Sequence, residues 1–327
     1  MWQTWHARRW QGYEFWGLAC AACSSRKGWH VTYCSRRLYS YVAAATCREC
    51  GAKYFLKKYR RAGLEKECEA LREYRVLQQL ESDQNVPPLA PHVYDICPAT
   101  CAFSMEFLVG QTLDACIKEA RQKQALNDSL RLAASWLRKL HSSPIQCKTG
   151  KPYAQLLSQI ELSGAPLAAR NKVARIGFEW MRQDLAEVER HSAELVPLHG
   201  DFKASNLILT SAGVYGIDIG LRFMNAGAMD AAQFMADLLL NRRGMRLSGK
   251  NHDIANMVEV FLQAYGDNTP ESRKRTAWWL LYFLLSWWER KLAGWEPALL
   301  ADRLYSTALA DVIAFREECD EMRSRIA

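Results

Sequence analysis

Three short runs rich in β-branched and aromatic residues set the first pattern along this chain: WHVTYC at 29–34, LYSYVAAAT at 38–46 and KYFLKKY at 53–59. The turn-forming stretches SRR and RECG separate them, so the pattern predicts a β-meander. The period then changes. In LEKECEALREYRVLQQL, residues 64–80, Leu64, Cys68, Leu71, Leu77 and Leu80 recur at helical spacing and predict an amphipathic helix. PPLAP at 87–91 breaks the chain. CAFSMEFL at 101–108 reads as a further strand that runs into VGQTL. From about residue 112 helical periods dominate, as in DSLRLAASWLRKLHSS, where Leu130, Ala133, Leu137 and Leu140 share one stripe. Two strand-like runs, LHGDFKASNLIL at 198–209 and VYGIDIG at 214–220, interrupt the helices. The run AWWLLYFLLSWW at 277–288 is too short to span a bilayer. It predicts a buried helix, with Thr269 as its cap and Pro270 in its first turn.

Composition sharpens this picture in two places. The 327 residues are 49% hydrophobic, enough for a sizeable core and against disorder. The net charge of +8 is concentrated: residues 1–75 hold 15 Lys and Arg against 6 Asp and Glu, and the rest is close to neutral. A basic first quarter suits an anionic partner such as a nucleotide, a phosphorylated substrate or a membrane surface, and equally a solvated face. The N-terminus, rich in Trp and Arg, has no continuous apolar stretch, so a signal peptide is not expected. Eleven cysteines at irregular spacing fit reduced thiols in the cytosol. Two CxxC pairs, CAAC at 20–23 and CREC at 47–50, have spacing that permits zinc. However, the second stands where the meander needs a hairpin turn, and a turn is the reading we take forward.

The chemistry lies in HGDFKASN and GIDIG. Phosphoryl transfer needs a group that orients or deprotonates the attacking hydroxyl, oxygen ligands for Mg²⁺ and a cation on the phosphates. Asp201 suits the first role, and Asn206 with Asp218 the second. His199 reads as a brace for the loop, and His141 as a packed helix-end residue.

These residues carry a resemblance. HGDFKASN followed by GIDIG resembles the catalytic and metal-binding loops of the aminoglycoside phosphotransferase and choline kinase group. FLKKY resembles the strand-borne lysine motif, with Lys57 at the matching position. LREYRVLQQL resembles the helix that follows, with Glu73 as the partner of Lys57. SMEFLVGQTL is similar to the hinge, where Glu106, Phe107 and Leu108 would flank adenine. The resemblance spans about residues 29–240 and rests on the order of five elements. It implies an α+β, bilobal protein-kinase-like fold: an N-terminal extension over 1–28, a small β-rich nucleotide-binding lobe over 29–107, and a large mainly helical lobe over 108–327 for catalysis and the acceptor. It implies ATP and Mg²⁺ as cofactors.

The sequence also departs from that pattern. No glycine-rich loop joins the first two strands; CSRRLYS stands there, so Ser35, Arg36 and Arg37 become the candidate phosphate contacts. Lys203, two residues after the base, matches the form frequent in protein kinases rather than the histidine frequent in small-molecule kinases. Its expected role is to neutralise the transferring phosphoryl group. Asp237 in MADLLL matches an aspartate that supports the catalytic loop in this group. The expected function is transfer of the γ-phosphate of ATP to a hydroxyl of a small molecule, with a sugar or glycan as a variant. A Ser/Thr protein kinase and a non-catalytic nucleotide-binding scaffold are the alternatives. No nucleic-acid partner is expected. The location implied is cytoplasmic, with a peripheral contact at the inner face of a membrane left open by the basic and Trp-rich ends.

Overall fold

A computed structural model describes residues 15–36, 39–60, 68–81, 88–119, 123–145, 147–190, 194–241, 254–292 and 298–326. Contacts divide the chain into two compact units, residues 1–110 with 208–220, and residues 111–207 with 221–327.

The first unit is built on strands β1 (Trp29–Arg36), β2 (Ser40–Cys47), β3 (Lys53–Tyr59), β4 (Val93–Cys97) and β5 (Ala102–Glu106). They form one antiparallel sheet in the order β1-β2-β3-β5-β4. The meander is therefore as the sequence predicts. β4, a five-residue edge strand behind a proline-rich break, gave no alternation to read. Register assigns the faces. Trp29 lies opposite Cys47, Val31 opposite Ala45, Ala45 opposite Tyr54, and Ala43 opposite Leu56. These residues form one apolar face, which Phe15 and Leu18 cover from the N-terminal side. Lys57, one residue past Leu56, turns to the other face, between Val42 and Phe103. Helix α1 (Glu69–Glu81) packs against β3, β4 and β5, burying Ala70, Glu73, Val76, Leu77 and Leu80. The predicted first turn of this helix, with Leu64, lies outside the described residues.

The short strand β6 (Gly110–Thr112) falls at the division between the units, and Thr112 caps helix α2 (Leu113–Glu119), its Oγ1 accepting the Ala115 N–H at 3.2 Å. Helix α3 (Lys123–His141) buries the predicted stripe of Leu130, Ala133, Leu137 and Leu140. After β7 (Lys148–Thr149), α4 (Tyr153–Arg170) and α5 (Lys172–Arg190) pack together. Strands β8 (Leu195–Pro197) and β11 (Phe223–Ala226) form a small sheet with β7. In chain order between them come β9 (Leu207–Thr210) and β10 (Gly213–Gly216), which form a hairpin. The chain continues in α6 (Ala228–Asn241), α7 (Ile254–Tyr265), α8 (Pro270–Leu292) and α9 (Ala298–Ile326).

The apolar run 277–288 lies in α8, which packs against α4, α5, α6, α7 and α9. A helix that is apolar on all sides belongs in such a centre. Thr269 caps it, its Oγ1 accepting the Ser272 N–H at 3.1 Å. Its buried indoles keep partners: Trp278 Nε1 donates to the Met181 carbonyl at 3.0 Å, and Trp288 Nε1 to Asp302 at 2.8 Å. No helix among the described residues is long and apolar enough to cross a membrane.

Candidate active site

In the first unit a buried cation is held between two carboxylates. Lys57 is 3% exposed, and its Nζ donates to Glu73 at 2.7 Å and to Asp218 at 2.6 Å. Burial alone would push this ammonium's pKa down. The charges of Glu73 and Asp218 outweigh it and hold the lysine well above its ordinary value. Tyr59, two residues along the same strand face, donates to the other Glu73 oxygen at 2.5 Å. Glu73 is thus fixed on both oxygens. Glu69, one helical turn earlier, pairs instead with Arg72. Asp218 sits at φ +60°, a left-handed conformation uncommon for a non-glycine residue and frequent where a side chain is aimed for function.

The other residues expected to meet the nucleotide are placed as follows. Glu106 ends β5; its N–H donates to the His92 carbonyl at 2.8 Å. Phe107 stacks on Phe55 at 4.8 Å between centroids, and Leu108 is buried. Ser35 and Arg36 correct an expectation. They are the last two residues of β1, in register with Val42 and Tyr41, and not part of a loop. Strand pairing continues further than CSRRLYS suggested, and Ser35 is buried there. Arg37 lies outside the described residues.

In the second unit, Asp201 follows a tight bend at Gly200, whose φ is +81°. Lys203 Nζ donates to Asp201 Oδ2 at 2.6 Å. Asn206 turns its amide nitrogen to the Asp201 carbonyl at 2.9 Å and to Oδ2 at 3.1 Å. Its Oδ1 is buried and has no hydrogen-bond partner. An orphaned acceptor of this kind is costly unless a cation or donor takes it up. Amide and carboxylate oxygens are the donor type that Mg²⁺ prefers, so Asn206 in the second unit and Asp218 in the first each have chemistry that fits that ion.

What braces the loop differs from expectation. Asp237 does not hold it; Asp230, two helical turns earlier on α6, does. Asp230 is 1% exposed and accepts the N–H of His199 at 2.6 Å, the N–H of Gly200 at 3.1 Å and His141 Nε2 at 3.1 Å. Tyr265 Oη sits 2.7 Å from His141 Nδ1, which completes the chain. Gly227 has no room for a side chain beside this pair: a Cβ there would lie 2.9 Å from His141 Nδ1. His199 is fully buried against Trp136 and Phe202, and its Nδ1 accepts the Asp201 N–H at 3.3 Å. It and His141 are structural, as read from the sequence.

Asp237 instead lines a cavity of about 960 Å³ within the second unit, with Asp201, Lys203 and Gln233. Tyr282, Phe283, Trp287 and Tyr305 also line it, and Arg290 and Lys291 add charge. Burial raises the Asp237 carboxyl to about 6, against a smaller opposing pull from Lys203.

A kinase-type phosphotransferase is the class that a buried lysine–glutamate pair and an Asp-x-Lys-x-x-Asn loop define together. The model of the phosphotransferase enzyme family matches residues 42–279, and the chain belongs to that family. It is an ATP-dependent enzyme whose acceptor is a hydroxyl of a small molecule. Comparison with curated proteins finds no match. Among solved structures, a choline/ethanolamine kinase family protein from Mesorhizobium loti is 16% identical over 85% of this chain and 90% of its own, with a TM-score of 0.56. The ethanolamine kinase of Plasmodium vivax is 16% identical over 87% and 83%, with a TM-score of 0.55. An amicoumacin kinase in complex with AMP-PNP, Ca²⁺ and Ami is 14% identical over 89% and 88%, with a TM-score of 0.57. At these identities the likeness speaks for the fold, the α+β protein-kinase-like one that the sequence implied.

Proposed function

We propose that the enzyme transfers the γ-phosphate of MgATP to a hydroxyl of a small polyhydroxylated acceptor, a sugar or glycan, neutral or anionic. The carrying observation is the lining of the cavity in the second unit. Aromatic faces suit the apolar faces of a sugar ring, and amide, hydroxyl and carboxylate groups suit its hydroxyls. Three cations, Lys203, Arg290 and Lys291, share it with two carboxylates, of which Asp237 has its pKa raised to about 6. That balance opposes a cationic acceptor such as an amino alcohol.

In this reading Asp201 takes the acceptor's proton, and Lys203, 2.6 Å from it, meets the transferring phosphoryl group. Lys57 binds phosphate oxygens, with Glu73 holding it in place. Residues 106–108 flank the adenine. Asn206 and Asp218 would hold Mg²⁺, which, when bound, spreads the negative charge of the triphosphate. The first unit thus serves the nucleotide and the second the acceptor. The use of ATP accords with a cytoplasmic enzyme. Against a protein kinase, only seven residues separate Gly220 from α6, too short for a segment that cradles a peptide. Against a non-catalytic scaffold, the Lys57, Glu73 and Asp218 network is intact.

The test is labelled MgATP with pools of neutral sugars, phosphorylated sugars and amino alcohols, run beside Asp201→Asn. Sugar-dependent turnover that falls by about 10²- to 10⁴-fold in the variant, with MgATP affinity unchanged, is expected. Turnover only with amino alcohols would overturn the acceptor class. Wild-type turnover in Asp201→Asn would overturn the mechanism.

A further inference from the structure

A second chemical site lies on the opposite face of the first unit's sheet. We propose that Cys20, Cys23, Cys47 and Cys50 bind one structural zinc ion, which fastens the segment before β1 to the β2–β3 turn. The proposal is independent of the phosphotransfer reading.

All four sulfurs lie within 4.8 Å of one another. Cys20 and Cys50 are 3.5 Å apart, and Cys23 and Cys47 are 3.7 Å apart. A tetrahedron with Zn–S bonds of about 2.3 Å has S···S edges of about 3.8 Å. The spacing is that of four ligands around one centre.

The backbone repeats at the two pairs. The N–H of Cys20 donates to the Ser25 carbonyl at 3.0 Å, and that of Cys47 to the Ala52 carbonyl at 2.8 Å. The N–H of Ser24 donates back to the Cys20 carbonyl at 2.7 Å, and that of Gly51 to the Cys47 carbonyl at 3.0 Å. The residue after each pair is left-handed, Ser24 at φ +58° and Gly51 at φ +75°. In each pair the first cysteine is buried and the second exposed. Backbone N–H groups of Ser25 and Ala52 turn to the sulfurs of Cys23 and Cys50. Two unrelated stretches thus adopt one conformation whose shared outcome is to present two sulfurs each to a common point. The hairpin turn and the ligand pair are the same four residues.

Charge and chemistry agree. Four thiolates around Zn²⁺ carry two net negative charges. Arg26, Lys27 and Arg48 lie within the two knuckles or beside them, and Lys27 reaches Glu49 across the pair at 3.3 Å. Soft thiolates select zinc over the hard Mg²⁺ of phosphotransfer. Four protein ligands leave no open position, so the ion is structural. Its effect follows from the core: Phe15 and Leu18 are buried against Trp29, Tyr54 and Leu56, and the metal cross-links their segment to the sheet.

The experiment is elemental analysis of the full-length protein, purified reduced and without chelator. About one zinc per chain is expected. Cobalt substitution should give the ligand-field bands of a tetrahedral thiolate site. Cys23→Ser and Cys50→Ser, both at exposed ligands, should lower metal retained against a competing chelator by at least about tenfold. Cys116→Ser, outside the cluster, should leave it unchanged. Titrating the wild-type protein with a mercurial decides the matter even where a variant fails to fold. Release of the zinc as four thiols react supports the site. Modification of all eleven thiols with no zinc released overturns it. So does a non-reducing mass short by the hydrogens of two disulfides in metal-free protein, or an unchanged cobalt spectrum in Cys50→Ser.

Discussion

Replacing Asp230 with asparagine should disable the enzyme without removing any group that meets substrate. Asp230 Oδ2 takes two donors, the His199 N–H and His141 Nε2, and Oδ1 takes the Gly200 N–H. An asparagine that keeps its oxygen at the Oδ2 position must turn its NH₂ toward the Gly200 N–H, donor against donor. The Gly200 N–H, part-buried on an exposed residue, loses its partner at a cost of about 1 kcal/mol, and loss of the charge weakens the two remaining bonds by about 0.5–1 kcal/mol each. The sum is about 2–3 kcal/mol, which in a unit of this size shifts the melting temperature by roughly 4–12 °C. The loop from Leu198 to Asp201 would relax by a fraction of an ångström or more. Misplacement of that order in a catalytic group lowers kcat by about 10²-fold. ATP turnover and thermal unfolding measure the two effects. MgATP affinity should hold, because Lys57, Glu73 and Asp218 are untouched. A variant with wild-type kcat and melting temperature would show that the Asp230 contacts do not position Asp201.

Three further outcomes follow from the same contacts. Lys57→Ala leaves the Glu73 and Asp218 carboxylates without their shared cation and should lower turnover at least about 10²-fold, more severely than Glu73→Ala, in steady-state assays. The Asp237 carboxyl is raised from 3.8 to about 6, so its contribution to stability is present below pH 3.8 and is lost as pH rises through 6. Asp237→Asn should therefore stabilise the protein at pH 8, by up to about 3 kcal/mol, and hardly at pH 4; melting curves at the two values test it. Asp184→Ala strips Arg316 of a two-pronged pair at 2.5 and 2.7 Å, both partners buried, and should cost about 3–5 kcal/mol by urea unfolding.

What could be read in the sequence is what a short stretch determines by itself. KYFLKKY fixed β3, whose two-residue period admits only one of Lys57 and Lys58 to the face that meets α1, and the resemblance of FLKKY to the strand-borne lysine motif preferred Lys57. The spacing of Glu73 from Leu77 and Leu80 chose it over Glu69. Asp230 escaped because its role depends on where the start of α6 meets the bend at Gly200. Asp230 and Asp237 are seven residues apart, hence on one helical face, and local pattern cannot rank them. β4 escaped for want of length and alternation. The union of the two CxxC pairs depends on the register that sets Trp29 opposite Cys47, which no spacing rule supplies.

The two lysines assigned to phosphate show how one residue type serves opposite purposes. Lys57 is 3% exposed and bound on two sides, so its ammonium has one position, and the sheet, α1 and Asp218 all define it. Lys203 is 31% exposed and pairs with Asp201, itself 48% exposed. An exposed pair of this kind is worth little to stability. Its two members can exchange each other for substrate at small energetic expense. A cation that positions a nucleotide gains from rigidity, because misplacement of phosphate is punished steeply. A cation that follows a phosphoryl group from donor to acceptor gains from freedom. In the proposed mechanism burial at Lys57 and exposure at Lys203 would divide those tasks, while Asp230 and His141 brace the loop at 198–201 from behind.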